Sequence, residues 1–303
     1  PEWCLADLAI MAAGAVTVPT YITNTESDHL HVLDDSGAVA AIVSTTKLAK
    51  TLLAAVYRSK ECRTVIGIEA LRIGQESGAT LYQWQHLVAE NPADVTATRA
   101  AQTAQRGDLA CLIYTSGTGG APRGVRQHHG AILCNVASAI RVIAEDFPPD
   151  PDSFLSFLPL SHAYEHTCGQ FVPIGLSASI YYAEGLEKLA ANMEEVKPTL
   201  MVVVPRLFEV LRARIVKTIE KQGGIAVVMF NQAMRLGRKR YENQGLPFWE
   251  RPFDALLDKT VRHKVQQRFG GNLKALVSGG APLNPEVGLF FESLGIKLLQ
   301  GYG

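Results

Sequence analysis

Short apolar runs of strand length alternate with helical patterns from one end of the chain to the other. Ala38–Val43, Thr64–Ile68, Ala110–Tyr114, Phe154–Leu158, Ser179–Tyr182, Leu200–Val204 and Leu273–Val277 are the strand-length runs, and Ala131–Ala144 and Leu186–Val196 are candidate helices between them. Apolar strands separated by helices belong to a sheet covered on both faces, which predicts an α/β fold with sheets sandwiched by helices. Thr25-x-x-Asp28 reads as a helix start before Leu30 and Leu33, with Gly37 as its stop.

Two stretches change texture. Asn91–Gln105 is polar and alanine-rich, the best linker candidate, and divides a first α/β segment (1–105) from a second (106–303). From Pro205 to Gly271 helix follows helix with no strand, and Leu207, Leu211, Ile215 and Ile219, with Phe208 beside them, form an amphipathic stripe. Between Pro205 and Arg268 there are 14 Lys/Arg and 6 Asp/Glu, an excess of eight positive charges. The whole chain holds 29 of each sign, so the neutral total conceals a polarised molecule. That neutrality argues for no nucleic-acid partner.

Hydrophobic residues make up 47% and charged residues 19%, a globular rather than a disordered composition. Five widely spaced cysteines without a C-x-x-C pair fit reduced thiols and a cytoplasmic protein; Cys111 and Cys134 sit in apolar runs as small core residues. Leu8–Thr25 and His166–Ala183 each lack charge for 18 residues, but Gly and Pro interrupt both, so each reads as helix-then-strand and not as a membrane span. The chain opens on Pro1 and closes on Q-G-Y-G after Ile296–Leu299, so both ends are expected to be cuts within a longer protein.

The most informative segment is L-I-Y-T-S-G-T-G-G-A-P-R-G-V, Leu112–Val125. A buried strand empties into a loop with hydroxyls at Thr115, Ser116 and Thr118, glycines at Gly117, Gly119, Gly120 and Gly124, and a cation at Arg123. Glycines let backbone N–H groups approach a polyphosphate, hydroxyls donate to it, and a guanidinium forks onto its oxygens. The Walker pattern is excluded because Val125 and Arg126 follow Gly124, and a dinucleotide fingerprint because Pro122 stands where a small residue is required. A glycine-rich surface turn is the bland alternative.

This loop resembles the signature of the adenylate-forming superfamily, Y-T-S-G-T-T-G-x-P-K-G. Thr115, Ser116, Gly117, Thr118, Gly120, Pro122 and Gly124 match it, while Gly119 replaces a threonine and Arg123 a lysine. Further similarities follow in the family's order. Ser156–His166 (S-F-L-P-L-S-H-A-Y-E-H) resembles its second core motif, and Val203–Glu209 (V-V-P-R-L-F-E) the opening of a helical insertion in the long-chain acyl-CoA synthetases. Leu276–Leu283 (L-V-S-G-G-A-P-L) is similar to the adenine loop, and Gln300–Gly303 to a motif that continues Leu-Thr-Glu. Ala12–Pro19 and Asp34–Ala38 also have the family's look.

The resemblance implies an incomplete N-terminal, AMP-binding domain over 1–303, with a helical insertion near 205–271 and a C-terminal domain beyond it. It implies ATP, Mg2+ and CoA as co-substrates and a long-chain fatty acid activated through an acyl adenylate. By resemblance, Thr115–Gly120 and Arg123 hold the β- and γ-phosphates, with Mg2+ reached through Thr118 and a glutamate beyond Gly303. His162 lies near the reacting carboxylate and α-phosphate. Gly279, Gly280, Ala281 and Pro282 line the adenine, with Gln300, Gly301 and Gly303 beside them and Tyr302 stacking on the base. The acyl chain runs beside the segments after His162 and Pro205. A fatty-acyl-AMP ligase with another acceptor, and a nucleotide-binding module without catalysis, stay open as alternatives, as does a homodimer.

Other readings compete for the same residues. His162-x-x-Glu165-His166 spells an inverted zinc-peptidase motif, but Pro159 puts His162 at a loop-to-helix junction, where the two histidines do not yet share a helix face. His128 and His129 read as a helix entrance. Arg235, Arg238, Lys239 and Arg240 are either a solvated helix face or a patch for peripheral contact with the inner face of a membrane. No G-x-S-x-G elbow supports a serine hydrolase.

Overall fold

The strand-length runs assemble into parallel sheets in a computed structural model that describes residues 1–71, 78–115, 121–148 and 150–301. By internal contacts the chain groups into two units, 1–135 with 161–163, and 136–160 with 164–303.

The first unit begins with α1 (Glu2–Ala12) and α2 (Glu26–Ser36), then β1 (Ala40–Val43), α3 (Thr46–Arg58), β2 (Thr64–Gly67) and β3 (Thr80–Gln83). The capping box forms as the sequence predicts: Asp28 N–H donates to Thr25 Oγ1 at 3.3 Å and Thr25 N–H to Asp28 Oδ2 at 2.9 Å, and α2 stops at a left-handed Gly37. β1, β2 and β3 pair in parallel in that order. Ala49, Leu52, Ala55 and Val56 recur at helical spacing on α3 and pack on Leu33, Val43 and Val65.

α4 (Trp84–Glu90) and α5 (Val95–Ala101) follow. The polar stretch Asn91–Gln105 thus holds a short helix, capped by the Asp94 carboxylate, which accepts from Thr96 and Ala97 N–H. Alanine favours the helix even where nothing is buried. β4 (Leu109–Thr115) and β5 (Arg123–His128) then form an antiparallel pair. No strand was expected over β5, because it buries none of its side chains and so lacks an apolar run. β3 buries none of its side chains either, and the apolar run Ile296–Leu299, read as ending in a turn, leads into the late strand β10 (Leu298–Gln300).

α6 (His129–Asp146) leads into the second unit: β6 (Ser153–Ser156), a π-helical segment Glu165–Phe171 continuing as α7 (Val172–Gly175), β7 (Ser179–Tyr182), α8 (Leu189–Val196) and β8 (Leu200–Val203). The helical insertion comprises α9 (Pro205–Gln222), α10 (Gly224–Glu242), α11 (Arg251–Leu257), a π-helical segment Asp258–Arg262 and α12 (His263–Gln267). β9 (Ala275–Ser278), α13 (Pro285–Ser293) and β10 close the unit. Its five strands are parallel in the order β10-β9-β8-β6-β7.

Alternate residues of β6, β8, β9 and β10 enter different cores. Leu155, Met201, Val203, Leu276 and Leu298 meet α8, α9, α10, α12 and α13, whereas Phe154, Leu200, Ala275 and Leu299 meet α6 and α7. Period-two alternation between two apolar faces requires the continuous apolar runs seen in the sequence. The expected sandwich of helices around a sheet is therefore present. The α9 stripe is also as expected, with Leu207, Phe208, Leu211 and Ile215 buried.

Corrections are local. Phe154–Leu158 is one such case, since the strand ends at Ser156 and the chain turns away before Pro159. Cys134 is exposed on α6, while Cys111 is buried. The uncharged stretch His166–Ala183 is helix-then-strand, as expected. Leu8–Thr25 is the end of α1 followed by irregular backbone, bridged to β4 at Thr17–Cys111. Among the described residues no helix is long and apolar enough to cross a membrane.

Candidate functional site

The base of the glycine-hydroxyl loop is held by a strand pair. The antiparallel register sets Thr115 opposite Arg123 and Tyr114 opposite Gly124, so the two ends of the loop are clamped side by side. Arg123, read from sequence as a loop residue, is the first residue of β5 and is exposed. α2 braces this base from 79 and 91 residues away in sequence: Tyr114 O–H donates to Asp35 Oδ2 at 2.6 Å, and His31 Nε2 lies 2.7 Å from Pro122 O. His31 also meets the Tyr114 ring edge-on at 6.0 Å. Burial and the Asp35 carboxylate hold the Tyr114 hydroxyl well above its usual pKa, which keeps it a hydrogen-bond donor. Asp35 and His31 were not candidates from sequence. Ser116, Gly117, Thr118, Gly119 and Gly120 lie outside the described residues, as do Tyr302 and Gly303.

In the second unit, the parallel pairing of β9 with β10 sets Gln300 opposite Ser278. Gly301 N–H donates to Ser278 O at 2.8 Å. Gly279, Gly280, Ala281, Pro282, Gln300 and Gly301 are thereby brought together at the carboxyl ends of neighbouring strands, where open α/β sheets take their ligands. Gly280, Ala281 and Pro282 are exposed, while Gly279 is buried against Tyr164. A Cβ at Gly279 would collide with the Tyr164 ring, whose O–H donates to Val277 O at 2.9 Å. Close approach of an aromatic ring therefore requires a glycine at the head of this loop.

His162 is exposed and immediately precedes the helical turn that begins at Ala163, the loop-to-helix junction expected from Pro159. His166 is fully buried and meets Phe171 edge-on at 4.9 Å. One histidine precedes the helix and the other is sealed inside it, so the two do not present one metal-binding face, and the zinc reading is dropped. His128 closes β5 and His129 opens α6, a helix entrance as read.

Between these histidines lies a group to which neither the Ser156–His166 motif nor the zinc reading gave a role of its own. Glu165 is fully buried, accepts from Ser156 Oγ at 2.6 Å, and leaves its other oxygen without a hydrogen-bond partner. Its carboxyl fills the space that a side chain at Gly169 would need. Burial raises its pKa from 4.5 to about 7, against the hydrogen bonds from Ser156 and the Phe157 backbone. Because the folded value is raised, its contribution to stability is fully present below pH 4.5 and is lost as pH climbs through about 7. Glu165→Gln keeps the acceptor and removes the ionisation. The variant is expected to gain on the natural protein by about 3 kcal/mol between about pH 5 and about pH 8 in denaturant unfolding. Parallel stability curves would show that this carboxyl does not hold its proton in the folded state.

The sequence matches the AMP-binding enzyme family over residues 1–303. It is 30% identical over 313 residues to the long-chain-fatty-acid–CoA ligase FadD15 of Mycobacterium tuberculosis, covering 100% of this chain and 49% of that protein. It is 27% identical to the peroxisomal long chain acyl-CoA synthetase 6 of Arabidopsis thaliana, covering all of this chain and 42% of that protein. The chain thus spans about half the length of the curated relatives it matches or less. Among solved structures, the A domain of a carboxylic acid reductase from Segniliparus rugosus, in complex with AMP and a co-purified carboxylic acid, superposes with a TM-score of 0.67. That match has 16% identity and covers 98% of this chain and 46% of that one. The N-terminal domain of FACL13 from Mycobacterium tuberculosis gives a TM-score of 0.63 at 18% identity, covering 100% of this chain and 60% of that one. These superpositions give the fold as that of the N-terminal adenylation domains. With every residue inside the family's match, the chain belongs to the AMP-binding enzymes.

Proposed function

We propose that the complete protein uses ATP to activate a long-chain fatty acid, first as the acyl adenylate and then as the CoA thioester. The observation that carries this is the glycine-hydroxyl loop clamped at Thr115 and Arg123 in a chain similar throughout to long-chain ligases. A carboxylate oxygen of the acid attacks the α-phosphorus of ATP, and pyrophosphate leaves. The thiol of CoA then loses its proton and attacks the acyl carbonyl, and AMP leaves with the electron pair of the broken C–O bond.

This chain's residues bind and align. Ser116, Thr118 and the backbone of Gly117, Gly119 and Gly120 face the β- and γ-phosphates, with Arg123 and Thr115 at the loop's base. Positioning and charge neutralisation dominate such chemistry. His162 orients the acid against the α-phosphate. Gly279–Pro282, Gln300, Gly301, Tyr302 and Gly303 receive the adenine. A Thr118 hydroxyl with phosphate oxygens is a donor set that suits Mg2+, which when bound neutralises phosphate charge.

The substrate class rests on V-P-R-L-F-E, whose Pro205 opens α9, and on the long insertion that follows. An apolar tunnel gains about 0.8 kcal/mol for each methylene removed from water. For the complete protein, kcat/KM measured from acetate to stearate is expected to climb with chain length, reaching at least about a thousandfold over acetate at roughly twelve to eighteen carbons, since ten extra methylenes offer about 8 kcal/mol before ordering costs. A maximum at four carbons or fewer, or a preference for an amino acid, would refute the long-chain assignment.

A further inference from the structure

The helical insertion displays an apolar face on its outer side. Trp249, Phe253 and Leu256 are 66%, 43% and 49% exposed. They follow one another at i, i+4 and i+7, because the turn before α11 is continuous with it: Asp254 N–H donates to Glu250 O at 3.0 Å. That spacing places the three on one side of the helix. Phe248, 76% exposed, packs its ring edge-on against Trp249 at 5.0 Å and extends the patch. The adjoining side of α11 buries Leu257 and the carboxylate of Asp254. A surface helix ordinarily turns its acid outward and its aromatics inward, and here the arrangement is reversed. Contiguous exposed aromatics mark a surface that meets another phase or partner.

The charges around this face are sorted in the same sense. Asp254 and Asp258 are drawn to Arg262 and Arg240, Glu250 to Lys239 and Arg235, and Glu242 to Arg238. The acids of this half of the insertion are thus neutralised by α10 and by a buried arginine. The four cations of α10, open in sequence between a solvated face and a membrane patch, are all held in these internal pairs, so they are not a free basic patch. Exposed Lys259 and Lys264, which none of these pairs includes, belong to the α11–α12 stretch itself.

We propose that the face formed by Phe248, Trp249, Phe253 and Leu256 seats the protein on an anionic lipid bilayer, with Lys259 and Lys264 toward the headgroup phosphates. Tryptophan and phenylalanine settle at the boundary between headgroups and acyl chains, and flanking cations add attraction to anionic lipid. The inference deepens the long-chain fatty-acid reading and rests on it for its purpose, since such a substrate partitions into bilayers.

The test uses the complete protein without ATP or CoA, so that its outcome is separate from whether a fatty acid is activated. Sedimentation with vesicles of phosphatidylcholine containing a minority of phosphatidylglycerol should pellet the natural protein at low salt and release it as salt rises. Trp249→Ser with Phe253→Ser and Leu256→Ser should weaken vesicle binding by at least about tenfold. Activation of a short soluble acid should stay unchanged, since none of the three is in the binding machinery. As a second variant with the apolar face intact, Lys259→Glu with Lys264→Glu should lose the preference for anionic over neutral vesicles. Undiminished binding by both variants would overturn the proposal. A dimer converted to monomer by the serine variant would assign the face to a second copy. A large fall in melting temperature without lipid would assign it to the remainder of the polypeptide.

Discussion

Alanine at Ser116, Thr118 and Arg123 together is expected to lower fatty-acid-dependent ATP–pyrophosphate exchange by the complete protein by about three to six orders of magnitude, because each charge-assisted hydrogen bond lost costs about 1.5–3 kcal/mol. The fold should be untouched. Arg123 contributes its backbone to the pair with Thr115, and alanine keeps that pairing. The brace from α2, through Asp35 to Tyr114 and His31 to Pro122, involves none of the three side chains. Arg123→Lys alone should retain most of the activity, since an ammonium supplies the charge and forgoes only the fork. An unchanged exchange rate in the triple variant would reduce the loop to a surface turn.

The second large effect is on stability. Arg262 is 1% exposed, at the end of the π-helical segment between α11 and α12. Its guanidinium lies 2.7 Å from Asp254 Oδ1 and 2.6 Å from Asp258 Oδ1, and it donates to Ser293 O at 2.8 Å and Ala233 O at 2.9 Å. One side chain therefore ties α10, α11 and α13 together. Arg262→Ala leaves Asp254 buried without this cation and removes the donors that reach Ser293 O and Ala233 O. Breaking a buried pair in this way costs about 3–5 kcal/mol. The melting temperature of the complete protein should fall by about 6 °C or more. Arg262→Lys should recover only a minority of the loss, since an ammonium has three donors and no fork. A shift of about 1 °C or less would show that the insertion is held by its apolar stripe alone.

The sequence by itself determined what depends on neighbours within a turn or a pleat. The Thr25–Asp28 capping box, the α9 stripe and the apolar runs of β6, β8 and β9 are written in spacings of two to four residues, which backbone geometry translates directly into structure. The apolar runs Ala110–Tyr114 and Leu273–Val277 also put the glycine-containing loops that follow them at strand ends. Tertiary structure alone decided which distant residues serve them. β5 has no apolar face to announce it and exists because β4 offers it a partner. Asp35 reaches Tyr114 across 79 positions and Tyr164 reaches Val277 across 113, distances over which no local pattern constrains the chain. The basic run of α10 looks free in sequence, yet its carboxylate partners arrive from α11, α13 and the segments beside them. The reversal of α11 has the same origin: Trp249, Phe253 and Leu256 look like core residues by composition, but the inward side of that helix was already taken by Leu257 and the Asp254–Arg262 pair, so packing turned them out.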